Sequence, residues 1–208
     1  MKHALIFLAT LGLFLDVAQA ETKLSWESKN PKNAEWTKIT LGAVEKHFEK
    51  LDKAEDMGTF CPEYKNLDKG QKIAVWGELI SAMSFYESGW NPNAQFTETG
   101  LGYDEITGKL LTSEGLLQLS YNDTKWASWC QFDWELDKNN RGSHPTTVLT
   151  PKNNLECGIG ILARQINKHK KIVLSKNTYW AVIKEGHVNC KIPGITKMVS
   201  AVPFCKKK

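Results

Sequence analysis

The sequence predicts a mainly α-helical single domain, and three observations carry that prediction. Apolar residues recur at helical spacing from Trp36 to about Leu51, where Leu41, Val44, Phe48 and Leu51 share one face. A second run, KIAVWGELISAMSFYE from Lys72 to Glu87, puts Ile73, Trp76, Ile80 and Met83 on one stripe, with Leu79 and Tyr86 beside it. Thr150-Pro151 is a helix start with proline at the first helical position, ahead of the segment NNLECGIGIL. With 208 residues, 41% of them hydrophobic, the chain has the length and composition of one ordinary globular domain. Such a chain can bury a full core without relying on cross-links.

The chain opens MKHALIFLATLGLFLDVAQA, with Lys2 and His3 as a basic start, Ala4 to Leu15 as an apolar stretch and Ala18-Gln19-Ala20 as a small-x-small cleavage site. That order predicts a secretory signal peptide over residues 1–20, too short and wrongly flanked for a spanning helix. The alternative is a membrane anchor that is never cut. No cysteine follows the cleavage site to take a lipid. The mature chain is expected to begin near Glu21, to be periplasmic or secreted, to keep no integral membrane segment and to be a monomer. Residues 21–34 are polar and read as a loose leader, and residues 35–208 as the single domain. GTFCPEY reads as a break between the first two helices.

The net charge of +4 suits loose attraction to a polyanion such as a cell wall or an anionic membrane surface, or is simply a basic solvated surface. The basic residues do not cluster with aromatics in a recognisable motif, so no nucleic-acid partner is expected. The five cysteines, Cys61, Cys130, Cys157, Cys190 and Cys205, read as disulfides in an exported protein, with an odd one left over. Cys190 with Cys205 and Cys130 with Cys157 are possible pairs, although spacing does not fix connectivity. His187-x-x-Cys190 has no second pair at zinc spacing, so no metal and no cofactor is expected.

Glu87 is the residue with the sharpest chemical reading. It lies four residues after Met83, on the apolar stripe, and Ser88-Gly89 breaks the helix immediately after it. A half-buried glutamate among aromatics holds its proton more tightly, because desolvation disfavours the charged form, and this suits a general acid near neutral pH. The competing reading is a frayed, solvated glutamate at a helix end, where the helix dipole slightly disfavours it.

The segment ESGWNPNA, from Glu87 to Ala94, resembles the Glu-Ser opening of the lytic transglycosylase (soluble-transglycosylase) domain of the lysozyme-like superfamily. Two further motifs follow in the family's order. SEGLLQLS, from Ser113 to Ser120, is similar to its Gly-Leu-Met-Gln segment, with Leu117 in place of methionine, and Asn154, Gly158 and Leu162 match its Asn-x3-Gly-x3-Leu helix start. The resemblance covers roughly residues 70–185. It implies a mainly α, lysozyme-like helical domain with a loop insertion beside the cleft. It implies Glu87 as the sole catalytic acid/base, protonating the bond between N-acetylmuramic acid and N-acetylglucosamine in peptidoglycan glycan strands. The proton is then taken either from the muramoyl 6-hydroxyl, leaving an anhydro end, or from water. Gln118 would hold the sugar and Ser88 would support Glu87.

The departures are equally specific. The chain inserts FTETGLGYDEITGKLLTSE between Glu87 and Gln118 and has Phe96 where the family has a serine. NTYWAVIKEG replaces the family's Tyr-Asn region, so Tyr179 or Trp180 would take over that role. The insertion carries Glu98, Asp104, Glu105 and Glu114, read as a solvated acidic loop, with Asp104 and Glu105 as the candidates for a second carboxylate. Such a loop would also attract free amines, as in de-N-acetylated peptidoglycan or chitosan. Tyr103 and Tyr121 are further candidates for substrate contact. Among Trp126, Trp129, Phe132 and Trp134, flat rings that suit sugars, each single residue is expected in the core. The alternatives kept open are a wall-binding protein without activity on the same fold and a chitinase- or chitosanase-type glycosidase.

Overall fold

A computed structural model of the chain describes residues 22–139 and 145–206. The segment read as a signal peptide lies outside them, as do Lys207 and Lys208. The body is helical, with one two-stranded sheet.

Its axis is a helix whose ends are written into the sequence. We number the longer elements in chain order: helices α1 (Ser25–Lys29), α2 (Ala34–Leu51), α3 (Met57–Phe60) and α4 (Lys69–Ser88), strands β1 (Gln95–Thr97) and β2 (Thr112–Glu114), then α5 (Trp134–Asp137), α6 (Pro151–His169) and α7 (Ile192–Ser200). Asp68 caps α4 by accepting from the Gln71 amide at 2.8 Å, and the Gln71 side chain accepts from the Asp68 amide at 3.1 Å. Gly89 stops the helix in the left-handed conformation at φ 62°, where a residue without Cβ carries no strain. Every residue from Ala74 to Ser84 is buried. The single apolar stripe expected from the sequence is thus corrected to a helix enclosed on all sides, because α1, α2 and α7 all pack against it. α6 packs against α2, and no helix of the described residues is long and apolar enough to cross a membrane.

The leader is packed, not loose. Trp26 is completely buried and its Nε1 donates to Thr37 Oγ1 at 2.8 Å. The Ser25 amide and hydroxyl both donate to the carboxylate of Glu78, which burial pushes to a higher pKa. Leu24 and Trp26, only two apolar residues in a polar stretch, anchor the whole segment on α4. The break at GTFCPEY holds the short helix α3.

Two disulfides close the body. Cys130 joins Cys157, one of the two pairs considered from the sequence, and Cys205 joins Cys61 instead of Cys190, which is free. The nine residues of α7 stand between Cys190 and Cys205. A helix of that length spans about 13 Å, well beyond the Cα separation a disulfide tolerates.

The hairpin and the turn after it shape the functional face. β1 and β2 pair antiparallel, Gln95 with Glu114, Phe96 with Ser113 and Thr97 with Thr112. Alternate residues of a strand point to opposite faces. Gln95, Thr97, Thr112 and Glu114 accordingly line one cavity, of about 480 Å³, while Phe96 and Ser113 line another, of about 850 Å³. Beyond β2, Glu114 and Leu119 pair to close a tight turn that buries Leu116, Leu117 and Leu119. Asn154 of α6 holds that turn through its side chain: Oδ1 accepts from the Leu117 amide at 2.8 Å, and Nδ2 donates to the Glu114 and Val148 carbonyls at 3.0 and 2.9 Å. One turn further along α6, Gly158 leaves room for Leu117, whose Cδ1 would lie 2.4 Å from any Cβ added there. The spacing Asn-x3-Gly is therefore a packing device between α6 and the turn.

Candidate active site

Glu87 is the penultimate residue of α4, half-buried at the edge of the larger cavity. Three side chains fix this end of the helix. Ser88 Oγ bonds to the carbonyls of Ser84 and Leu116, both at 3.0 Å, Trp90 Nε1 donates to the Ser81 carbonyl at 2.8 Å, and Lys29 Nζ donates to the Gly89 carbonyl at 3.1 Å. Ser88 therefore acts on Glu87 through the backbone, by tying α4 to the turn at Leu116.

The cleft beside Glu87 has a volume of about 850 Å³, at the upper end of what small-ligand sites offer. Glu98, Asp123, Gln118, Tyr179 and Trp180 line it with Glu87, and no lysine or arginine does among the described residues. Burial pushes the Glu87 carboxyl up from 4.5 to about 7, and the negative charge of Glu98 adds to the effect. Glu98 is held by its amide, which donates to the Leu111 carbonyl at 2.8 Å, and by Ser113 Oγ, 3.3 Å from Oε1.

Asp123 is a further carboxyl of the cleft, and donors surround it. It is buried, and its Oδ2 accepts from the Ser120 amide at 2.9 Å and from the Tyr179 hydroxyl at 2.7 Å. Burial raises its pKa, against the lowering effect of those donors. Tyr179 keeps part of its ring exposed while its hydroxyl end is enclosed. Burial first, then the charges of Asp123 and Glu87, hold that hydroxyl protonated. Trp180, by contrast, is buried and its Nε1 donates to the Leu117 carbonyl at 2.8 Å. Of the two aromatics considered for the missing Tyr-Asn pair, Tyr179 brings a polar group among the carboxylates and Trp180 braces the turn.

Gln118 lines the cleft from a backbone at φ 50°, its Nε2 donating to the Gly115 carbonyl at 2.9 Å. The remaining candidates lie elsewhere. Tyr103 is 69% exposed on the hairpin loop and is not among the cleft walls. Tyr121 is buried beside the smaller cavity, its hydroxyl donating to Asp137 Oδ2 at 2.8 Å. Asp104 is buried as the anchor of its own loop, accepting from the amides of Ile106, Thr107 and Asn122 at 2.8, 3.0 and 3.0 Å. Glu105 points outward to an ion pair with Lys125. The carboxylate beside Glu87 is Glu98, where the sequence predicts a solvated loop. Asp123 and Asn189 also line the cleft without any sequence signal, as does His187, which the sequence offers only as half of a metal pair. Among the four clustered aromatics, Trp126 is the exposed one, at 42%. No group of three potential metal ligands is assembled among the described residues.

A helical body, with a small hairpin beside a cleft and a glutamate at the end of its central helix, fits the lysozyme-like superfamily. The chain is similar in structure to wild-type DslA of Bdellovibrio, with a TM-score of 0.70 and 25% identity over 89% of this chain and 98% of that one. It is similar also to two DslA mutants in which a glutamate is changed to glutamine, at position 154 and at position 143 of that chain. These have a TM-score of 0.69 and 24% identity, covering 88% and 87% of this chain and 97% and 96% of theirs. No protein-family model matches the chain, and no curated protein matches it in sequence.

Proposed function

We propose that the protein is an exported glycosidase that cleaves the β-1,4 bond between N-acetylmuramic acid and N-acetylglucosamine in peptidoglycan, with Glu87 as general acid. The observation that carries this reading is the place of Glu87, half-buried at the end of α4 on the edge of a sugar-sized cleft, where burial raises its pKa to about 7 and keeps the acid form available at neutral pH. Glu87 gives its proton to the glycosidic oxygen as the bond breaks, and the positive charge that develops on the sugar ring is stabilised by the carboxylates around it. The Glu87 carboxylate then takes a proton from the attacking group, either the muramoyl 6-hydroxyl or a water.

Glu98, and neither Asp104 nor Glu105, is the second carboxylate of this reading. The two glutamates altered in the DslA mutants lie eleven positions apart, and so do Glu87 and Glu98. That shared spacing supports a paired role. The substrate favoured is de-N-acetylated glycan. Glu98 and Asp123 line the cleft beside the acid Glu87, with no lysine or arginine among the described residues, which suits a sugar carrying a free ammonium.

Digestion of native and chemically de-N-acetylated peptidoglycan by wild type and Glu87→Gln, with products read by mass spectrometry, tests both levels. Release that disappears in the variant supports the glycosidase, and faster release from the deacetylated glycan supports the amine preference. Equal rates on the two substrates sink the preference. No release from either leaves a wall-binding protein on this fold.

A further inference from the structure

A second pocket, of about 360 Å³, adjoins the cleft, and Tyr179 lines both. Its charge is the reverse of the cleft's. Arg164, Lys168 and His169 from the last turns of α6 line it, and no carboxylate does among the described residues. The Arg164 guanidinium lies over the Trp126 ring at 5.0 Å, and its Nη1 donates to the Trp126 carbonyl at 3.1 Å. The Trp126 and Tyr179 rings stand 6.4 Å apart and form an aromatic wall running toward the cleft. At the buried end, Gln165 is held by its Nε2, which donates to the Ile172 carbonyl at 2.9 Å.

Cations in the last turn of a helix are stabilised by its dipole, and this alone accounts for Lys168 and His169. It does not account for Arg164, a turn earlier, or for a pocket walled by the same tyrosine that lines the cleft. A guanidinium has five N–H donors in a planar fork that matches a carboxylate, and stacking on Trp126 holds that plane in place. Acidic cleft and basic pocket therefore stand side by side across a single ring.

We propose that this pocket binds a carboxylate of the short peptide carried by the glycan strand that lies in the cleft. The inference rests on the glycosidase reading above. Each peptide-bearing muramic acid carries free carboxylates along a short flexible peptide, beginning at its second residue, so one strand can present its sugars to Glu87 and its anionic appendage to Arg164 at once.

The test compares peptide-bearing glycan strands with the same strands after an amidase has removed the peptides and the lactyl carboxylates so exposed have been capped as methylamides, using wild type, Arg164→Ala and Arg164→Glu. The exposed position of Arg164 allows both variants to fold. Arg164→Ala is expected to raise KM on peptide-bearing strands roughly five- to tenfold with kcat unchanged, Arg164→Glu to raise it further, and neither to alter cleavage of stripped strands. Equal effects on the two substrates, or no effect on either, overturn the proposal. If neither strand is cut at all, the free tetrapeptide L-Ala–D-Glu–diamino acid–D-Ala decides, followed by tryptophan fluorescence. Salt-sensitive binding lost in Arg164→Glu then keeps the pocket while the glycosidase reading falls. The absence of saturable binding at millimolar peptide ends both.

Discussion

Glu87 and Glu98 line one cleft, and the charge on Glu98 adds to burial in keeping a proton on Glu87. Each is fixed by a different part of the chain, Glu87 by the locked end of α4 and Glu98 by the hairpin, where its amide meets Leu111 and its carboxylate meets Ser113. The acid strength of the site therefore depends on how α4 and the hairpin sit against each other. Either glutamate can be altered to read the effect on the other.

Changing Glu98 to glutamine removes the negative charge and lowers the Glu87 pKa from about 7 toward the value burial alone sets. A general acid works only while protonated, so the alkaline limb of the kcat/KM profile moves to lower pH. The pH profile of the purified variant measures this. An unmoved limb means that the two carboxylates are not coupled. A fall in kcat at the optimum, in addition, is the mark of Glu98 acting in the reaction itself.

The same burial predicts a stability change in Glu87→Gln. A folded pKa of about 7, above the ordinary 4.5, means that the folded state binds the proton more tightly than the unfolded one. The contribution is fully present below the unfolded pKa and is lost as pH rises through the folded value. Glutamine mimics the protonated acid at every pH. The variant should match wild type near pH 4 and exceed it by about 1–2 kcal/mol at pH 8, a figure reduced for partial exposure of the site. Urea unfolding at the two pH values checks it.

Asn154→Ala should be among the most damaging single changes. It deletes three buried hydrogen bonds and leaves the Leu117 amide and the Glu114 and Val148 carbonyls without this partner. Lost bonds to buried backbone groups put the cost at about 3–5 kcal/mol. Because the turn it holds carries Gln118 and, through Ser88, the end of α4, activity should fall at temperatures where the variant remains folded. Denaturant melts, with assays well below the midpoint, separate the two effects.

Breaking the Cys61–Cys205 bond with serines should cost about 2–5 kcal/mol, since the closed loop spans 144 positions. Cys190→Ser should leave stability and activity as they are, because that thiol is free. Thermal melts in the presence and absence of reductant make the comparison.

Long periodic segments made α2, α4 and the start of α6 legible, with observed boundaries within about three residues of those expected. Short segments resisted. Two buried side chains, Leu24 and Trp26, were enough to pack the leader, and two residues establish no period. Glu98 was concealed because a strand of three residues shows too little alternation to reveal which side it faces. Asp104 drew attention as an acid, yet Asp-x-x-Thr-Gly in a loop is also the composition of a turn whose aspartate caps its own amides, and that is the arrangement found. Asp123 and Tyr179, 56 positions apart, meet only through the tertiary fold.

The alternation along β1 and β2 bears on how this protein can diverge. One set of hairpin side chains belongs to the cleft and the other to the smaller cavity. Insertions at the exposed tip of the loop leave that division intact, so the tip can change in length as long as Glu98 and the buried anchor Asp104 keep their places. A single residue gained or lost inside either strand would exchange the two sets, moving Phe96 or Ser113 out of the cleft and threonine or glutamine into it. The hairpin thus acts as a hereditary ratchet: lineages can remodel its tip at little risk, while its stem admits change only in pairs.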